Sequence, residues 1–382
     1  MGLKTYTVEW TDLSVILRSA HFCADGGISE YHAAIELNNV FANTQEQYQL
    51  LDEASQRLIN LLKVENCQLV WKRFFVSDAH NHAIHLKTTK GEALSIVQQP
   101  PLNGYKASLL LYFVELAQLT TEADNTVVMK RPYYQHLFHT QLHERNGDVS
   151  SQTSHIFDRY CKSLSLKGCT LEKNCIRTWI FVQNVDIQYA GMALARREYF
   201  EHEGLTPQTH YIASTGIEGC YVHPEALMLM DAYAITNIQP QQIRYLKAPT
   251  HLNPTYEYGV TFERGVSVDY GDRRHVFISG TASINNRGEI VHPLDVEKQT
   301  ARVFENVQVL LQEAKACFQH VAHMIIYLRD IADYAAVNQY IAQHYPDIPR
   351  VMLWAPVCRP GWLVEVECMA IVPIKNEKFM DF

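Results

Sequence analysis

The chain has little of what marks membrane proteins or nucleic-acid-binding proteins. Charged residues make up only 19 % of its 382 residues, and 33 Lys and Arg against 41 Asp and Glu give a formal net charge of −8. Without a basic block, such a chain is a poor partner for phosphate backbones. The longest apolar run, near 109–114, is far shorter than the roughly 18 residues that a membrane span needs. We therefore expect no nucleic-acid partner, no membrane partner and a cytoplasmic location.

Motifs for disulfides, metals and nucleotides are also lacking. The nine cysteines are odd in number and form no C-x-x-C pair, which argues against a disulfide framework and a structural zinc site. The densest histidine cluster, His80, His82 and His85, has no carboxylate or Cys at ligand spacing. No glycine-rich nucleotide motif is present. We predict no metal and no cofactor.

What the chain does contain is an internal repeat and enough apolar residues, 47 %, to fill sizeable cores. Each copy combines an amphipathic helix, a polar joint, a β-rich run and a small acidic or amide turn. The turns lie at Asp78, Asn184 and Asp330. Long helices are predicted at 48–64, 152–166 and 299–314, second helices at 189–201 and 334–344, and closing apolar strands at 107–114, 227–235 and 363–372.

The repeat predicts an α+β fold of three units, each a sheet with two helices packed on one face. Three similar units in one chain suggest a pseudo-threefold arrangement, as if a homotrimer had been fused. We place the units at 1–125, 126–247 and 248–382 and regard the first two as degenerate. The expected state is a monomeric pseudo-trimer or a higher homo-oligomer.

The last predicted strand carries two carboxylates among apolar residues. Period-2 alternation places Glu365 and Glu367 on one face of a strand that should be mostly buried. Buried carboxylates need cationic or hydrogen-bonding partners, and Arg350 or Arg359 could supply one. A structural ion pair is one interpretation. The repeat favours a functional site, because the second copy has Leu229 in place of Glu365 and the first copy has no carboxylate there either.

The third unit resembles the RidA/YjgF family of imine and enamine deaminases. The resemblance covers about 255–375 well and 150–235 more weakly, and it implies a chorismate-mutase-like fold with sites between units. The residues that carry it are Ile278–Ile284, Gly288–Ile290, the helix from Gln299 to Val307, Tyr334–Asn338, Ile348–Arg350 and Val364–Glu367.

The resemblance also implies roles for individual residues. Arg350 matches the arginine that binds a substrate carboxylate, and Glu365 matches the glutamate that handles water or a proton. The ligand would be a small carboxylate-bearing metabolite, and the reaction would be hydrolysis of an enamine or imine. The residues expected to line the substrate are Ser279, Gly280, Thr281, Asn338, Tyr258, Phe262 and Cys358.

Two alternatives stay open. Segments 213–217, 279–284, 292–296 and 358–360 also resemble the chorismatases, although 136–143 departs from their pattern. That resemblance implies release of pyruvate from chorismate, with Glu365 protonating the enolpyruvyl group. The third interpretation is a protein that binds a metabolite without catalysis, since fold does not fix function.

Overall fold

The computed structural model describes residues 2–86, 91–122 and 125–382 and contains three six-stranded mixed sheets of one topology. Unit 1 comprises β1 (Gly2–Trp10), β2 (Val15–Cys23), β3 (Ser29–Leu37), β4 (Cys67–Val76), β5 (Ala93–Gln98) and β6 (Ala107–Glu115), in the spatial order β1-β2-β3-β6-β4-β5. Unit 2 comprises β7 (Gln118–Thr121), β8 (Thr126–Lys130), β9 (Gln135–His143), β10 (Cys175–Val182), β11 (Ala213–Glu218) and β12 (Met228–Ile235), in the order β7-β8-β9-β12-β10-β11. Unit 3 comprises β13 (Ile243–Leu246), β14 (Gly265–Asp269), β15 (Arg273–Ala282), β16 (Val321–Leu328), β17 (Arg350–Trp354) and β18 (Val364–Pro373), in the order β13-β14-β15-β18-β16-β17.

Helices cover one face of each sheet. They are α1 (Thr44–Lys63) and the single turn α2 (Ala79–His82) in unit 1, α3 (Val149–Ser165), the single turn α4 (Leu171–Asn174) and α5 (Val185–His202) in unit 2, and α6 (Val296–Glu313) and α7 (Tyr334–His344) in unit 3. Among the residues described, no helix has the length and apolar character needed to cross a membrane.

The long helix of each unit begins directly after an Asn or Asp that caps it. The side chains of Asn43, Asp148 and Asp295 accept hydrogen bonds from backbone N–H groups of the first turns of α1, α3 and α6. These caps satisfy amides that have no partner within the helix. The predicted helices and closing strands are therefore present, and the α+β fold of three units is confirmed. The domain boundaries stay predictions.

The closing strand of each unit is buried on both faces. In β6, Leu109 and Leu111 pack towards the helices of unit 1, whereas Leu110 and Tyr112 belong to a core shared by all three sheets. This alternation follows from the period of two along a strand. The shared core therefore contains the inner faces of the three sheets. The helices of units 1 and 2 pack into separate cores, whereas the buried residues of α6 and α7 are continuous with the shared core.

Buried ion pairs cross the interfaces between units. Arg73 Nη2 of unit 1 lies 2.6 Å from Asp231 Oδ2 of unit 2. Arg177 Nη2 of unit 2 lies 2.8 Å from Glu367 Oε2 of unit 3. All four side chains are almost completely buried, so each charge depends on a partner in the neighbouring unit.

The third interface has a buried pair of its own. Arg273 Nη1 of unit 3 lies 2.6 Å from Glu30 Oε1 of unit 1, and His275 Nε2 lies 2.9 Å from the same oxygen. Burial opposes ionisation of Glu30, but His275 and Arg273 outweigh it and hold the pKa of Glu30 far below its usual range. The three units are thus joined in a closed ring.

We expect Arg73→Met to lower the free energy of unfolding by about 3–5 kcal/mol, because Asp231 would stay buried without its cation. The double variant Arg73→Met/Asp231→Leu should recover most of that loss. Denaturant unfolding measures both, with Lys162→Met as the control. The exposed pair of Lys162 with Asp158 should contribute less than about 1 kcal/mol. A double variant as unstable as Arg73→Met would contradict this account.

Candidate functional site

The two carboxylates of β18 have different surroundings. Glu367 accepts hydrogen bonds from Arg177, from Trp179 Nε1 at 2.9 Å and from the hydroxyl of Thr215. All three donors belong to unit 2. A structural ion pair across the interface therefore accounts for Glu367. Glu365 lies two residues before it on the same strand.

Glu365 occupies space that exists because residue 280 is a glycine. The pairing of β15 with β18 is interrupted between Ile278 and Thr281, which is a β-bulge. A Cβ on Gly280 would collide with Oε1 of Glu365. The N–H of Gly280 donates a 2.9 Å hydrogen bond to Thr215 Oγ1. The bulge thus both admits the carboxyl group and contacts the neighbouring unit.

Glu365 borders a cavity between units 2 and 3. Three arginines line it: Arg196 of α5, Arg264 just before β14, and Arg359 after β17. Arg264 donates to the backbone oxygen of Asn253 at 2.9 Å. The other lining residues are Tyr189, Ser214, Thr215, Gly216, Val260, Phe262, Gly280, Ala282, Ile284, Cys358 and Trp362.

The cavity favours a protonated carboxyl group. Burial and the charge of Glu367 together raise the pKa of Glu365 to about 8, although Arg177 and Arg264 oppose the shift. Burial, together with the charge of Glu365, raises the pKa of the Cys358 thiol to about 12. A thiol in this state is not a thiolate nucleophile. The arrangement suits proton donation by Glu365 beside groups that can bind an anion.

Three predicted substrate residues, Gly280, Phe262 and Cys358, do line the cavity with Glu365. Two others lie beside it without lining it. The hydroxyl of Ser279 donates to the backbone oxygen of Glu263 at 2.6 Å, and that of Thr281 donates to the backbone oxygen of Ser279 at 2.8 Å. The side chain of Tyr258 lies outside the part of the chain that the structure describes.

Arg350 lies at a different interface. Its Nη1 donates to the backbone oxygens of Tyr345, Pro346 and Ile348, and its charge interacts with Arg18 and Glu36 of unit 1. The structure therefore does not bring Arg350 to the Glu365 cavity.

Asn338 also lies apart from that cavity, on α7. The separation of Arg350 from Glu365 follows from the order of strands in the sheet. Strand β17 is an edge strand that meets unit 1, as the bridge between Pro101 and Leu353 shows, while Glu365 on β18 faces unit 2.

Sequence reasoning missed the residues that unit 2 contributes, among them Thr215 and Arg196, and it missed Arg264. The repeat held a usable signal for them. In a threefold arrangement a site at an interface takes its two halves from different copies, so the partner of Glu365 had to be sought in the second copy.

The interface of units 1 and 2 lacks the same features. The sheet registers place Leu229 at the position of Glu365 and Gln141 at that of Gly280. Gln141 has a φ of 55°, and its N–H donates to Asp231 Oδ1 at 2.8 Å. Among the described residues, no group of three His, Cys, Asp or Glu is placed to hold a metal ion.

We expect Gly280→Ala to lower the free energy of unfolding by about 1–3 kcal/mol, the usual cost of overpacking a buried site. In a Glu365→Ala background the same change should cost less than about 1 kcal/mol, because the colliding carboxyl is gone. Denaturant unfolding of the four proteins gives the coupling. Equal costs in both backgrounds would contradict the close contact.

Comparisons with known proteins agree with this architecture. The family model described as endoribonuclease L-PSP matches residues 265–372. The chain is 31 % identical to the 3-aminoacrylate deaminase RutC of Acinetobacter baylyi over 25 % of this chain and 79 % of that protein. It is 32 % identical to a RutC family protein of Pyrococcus abyssi over 25 % of this chain and 76 % of that protein.

A solved structure extends the similarity beyond the third unit. The crystal structure of a chorismatase superposes with a TM-score of 0.63 over 79 % of this chain and 92 % of that chain, at 17 % identity. This likeness concerns the fold, and it includes more than one unit. Together with the relatives of the third unit, it confirms the resemblance found in the sequence. The chain belongs to the RidA/RutC family and carries three units of that fold in one polypeptide.

Proposed function

We propose that the protein hydrolyses a small carboxylate-bearing molecule that contains an enamine or an enol ether, with Glu365 as the general acid. One observation carries this proposal: the buried Glu365 carboxyl has a pKa of about 8 and faces a cavity lined by three arginines. At neutral pH such a carboxyl holds a proton that it can donate. Family membership supports the same class of reaction.

The reaction needs no reagent other than water. Glu365 donates its proton to the electron-rich carbon of the C=C bond, which leaves an iminium or oxocarbenium ion. Water then adds to the cationic carbon, and the Glu365 carboxylate accepts a proton from it. Cleavage of the C–N or C–O bond releases ammonia or an alcohol together with a carbonyl-bearing acid. A preformed imine enters the sequence at the addition of water.

The substrate carboxylate binds within the same cavity. Arg264 is our choice as its anchor, since its guanidinium lies beside Phe262, 5.5 Å from the ring centre, and lines the cavity with Glu365. A planar guanidinium can make two parallel hydrogen bonds to a carboxylate. Arg350, the anchor predicted from the sequence, faces unit 1 instead, so we assign it no contact with this substrate.

The first test is turnover of two substrates, chorismate for pyruvate release and 3-aminoacrylate for ammonia release. On whichever is turned over, Glu365→Gln should lower kcat by about 10²–10⁴-fold, the usual contribution of a general acid. The rate should fall as pH rises through about 8, because the active form is the protonated acid. A Glu365→Gln variant with full activity would contradict the proposal. Ligand-linked thermal stabilisation without product would favour a binding protein.

The second test compares two arginines on the substrate that is turned over. Arg264→Lys should raise KM by about tenfold or more, because Lys cannot reproduce a bidentate contact with a carboxylate. Arg350→Lys should leave kcat/KM nearly unchanged, since Arg350 lies at the interface with unit 1. The opposite pattern would move the site to that interface and contradict the assignment made here.

A further inference from the structure

We infer that Glu367 is a positioning residue for the reaction: unit 2 holds its carboxylate in place across the interface, and that fixed negative charge keeps the neighbouring Glu365 protonated. The inference rests on the proposed role of Glu365. The Arg177–Glu367 ion pair thus holds units 2 and 3 together and also sets the protonation state of Glu365.

The contacts of Glu367 suit a carboxylate and not a carboxylic acid. Oε2 accepts hydrogen bonds from Arg177 at 2.8 Å and from the hydroxyl of Thr215. Oε1 accepts one from Trp179 Nε1 at 2.9 Å. Arg177 and Trp179 can only donate, and Thr215 Oγ1 already accepts from Arg177 Nη2 and from the N–H of Gly280. The Thr215 hydroxyl therefore directs its proton at Glu367, and a proton on Glu367 would find no free acceptor among these three groups.

Glu365 lies where this charge acts strongly. The two residues are two positions apart on one strand, so they share a face, and their exposed fractions are 4 % and 3 %. Like charges at such positions disfavour each other, and the effect grows as water is excluded. Thr215 links the two groups, since its hydroxyl donates to Glu367 and accepts from the N–H of Gly280, beside which the Glu365 carboxyl fits.

Other charged groups also face Glu365. Arg177 of β10 is paired with Glu367, while Arg196, Arg264 and Arg359 line the cavity. The charges of Arg177 and Arg264 act against protonation of Glu365.

Two further buried neighbours of Glu365, Tyr327 and Cys358, carry no charge near neutral pH. Tyr327 of β16 pairs with Glu365 across the strands, and burial raises the pKa of its phenol well above the usual value. The Cys358 thiol has a pKa of about 12 because of its burial, and Tyr189 of α5 completes the lining. Glu367 is thus the negative charge that works against the arginines.

The chain offers a matched control at the interface of units 1 and 2. There Asp231 is paired with Arg73 and accepts a 2.5 Å hydrogen bond from Ser95 Oγ, much as Glu367 is paired with Arg177 and Thr215. The residue two positions before Asp231 is Leu229, which cannot titrate. Asp231→Asn therefore removes an equivalent buried charge without removing a neighbour of Glu365.

The test is a ¹³C NMR titration of the full-length protein labelled at the glutamate Cδ, with the Glu365 signal identified by its loss in Glu365→Gln. In the wild type we expect Glu367 to be ionised and Glu365 protonated near pH 7. Glu367→Gln should move the Glu365 midpoint down by at least about one pH unit, a tenfold change in its ionisation constant. Asp231→Asn should move it by less than about a third of that.

Three results would overturn the inference: an unchanged midpoint in folded Glu367→Gln, an equal shift in Asp231→Asn, or a wild type with Glu365 ionised and Glu367 protonated near neutral pH. The wild-type titration decides the matter if Glu367→Gln does not fold. No substrate is needed, so an absence of turnover would contradict the proposed function and leave this test intact. Where turnover exists, the pH at which the rate falls should be lower in Glu367→Gln than in the wild type, in step with the Glu365 midpoint. The kcat at low pH should be retained.

Discussion

The three buried arginine–carboxylate pairs decide how this chain is put together. A charge taken out of water needs a partner of opposite charge at close range, and here each partner belongs to another unit. The pairs Arg73–Asp231 and Arg177–Glu367 make this explicit. A strand that slipped by one residue would turn its carboxylate towards the helices and leave the arginine unpaired. The ion pairs therefore fix the strand registers and the packing of the units together.

The three interfaces are formed by sheets of one topology and differ in the side chains that occupy them. Between units 2 and 3, a glycine bulge leaves space for the Glu365 carboxyl. Between units 3 and 1, Arg350 interacts with the charges of Arg18 and Glu36, and Arg18 Nη1 lies 2.6 Å from Glu36 Oε2. A carboxylate of the chain itself thus lies among arginines at that interface.

The sequence allowed the fold and the burial of Glu365 to be predicted, but not which residues surround Glu365. Amphipathic helices and apolar strands are local patterns, and their threefold recurrence along the chain predicted the three units. The partners of the site are not local: Arg177 is 190 residues from Glu367. Reading Arg350 and Glu365 from one copy treated them as one site, whereas β17 and β18 present them to different neighbours. Only the order of strands in the sheet reveals that difference, and single-copy motifs do not encode it.

Covalent fusion gives the Glu365 cavity a property that a site between separate subunits lacks. Its two halves come from units 2 and 3, which are joined by the short connection from Ile235 to Ile243. A short linker keeps two modules at an effective concentration in the millimolar range. Even a weak interface between them therefore stays formed. Dilution cannot separate these halves, so each molecule keeps its site at any abundance in the cell. The inter-unit ion pairs therefore set the packing of the units and the charges around Glu365 without also having to hold separate chains together.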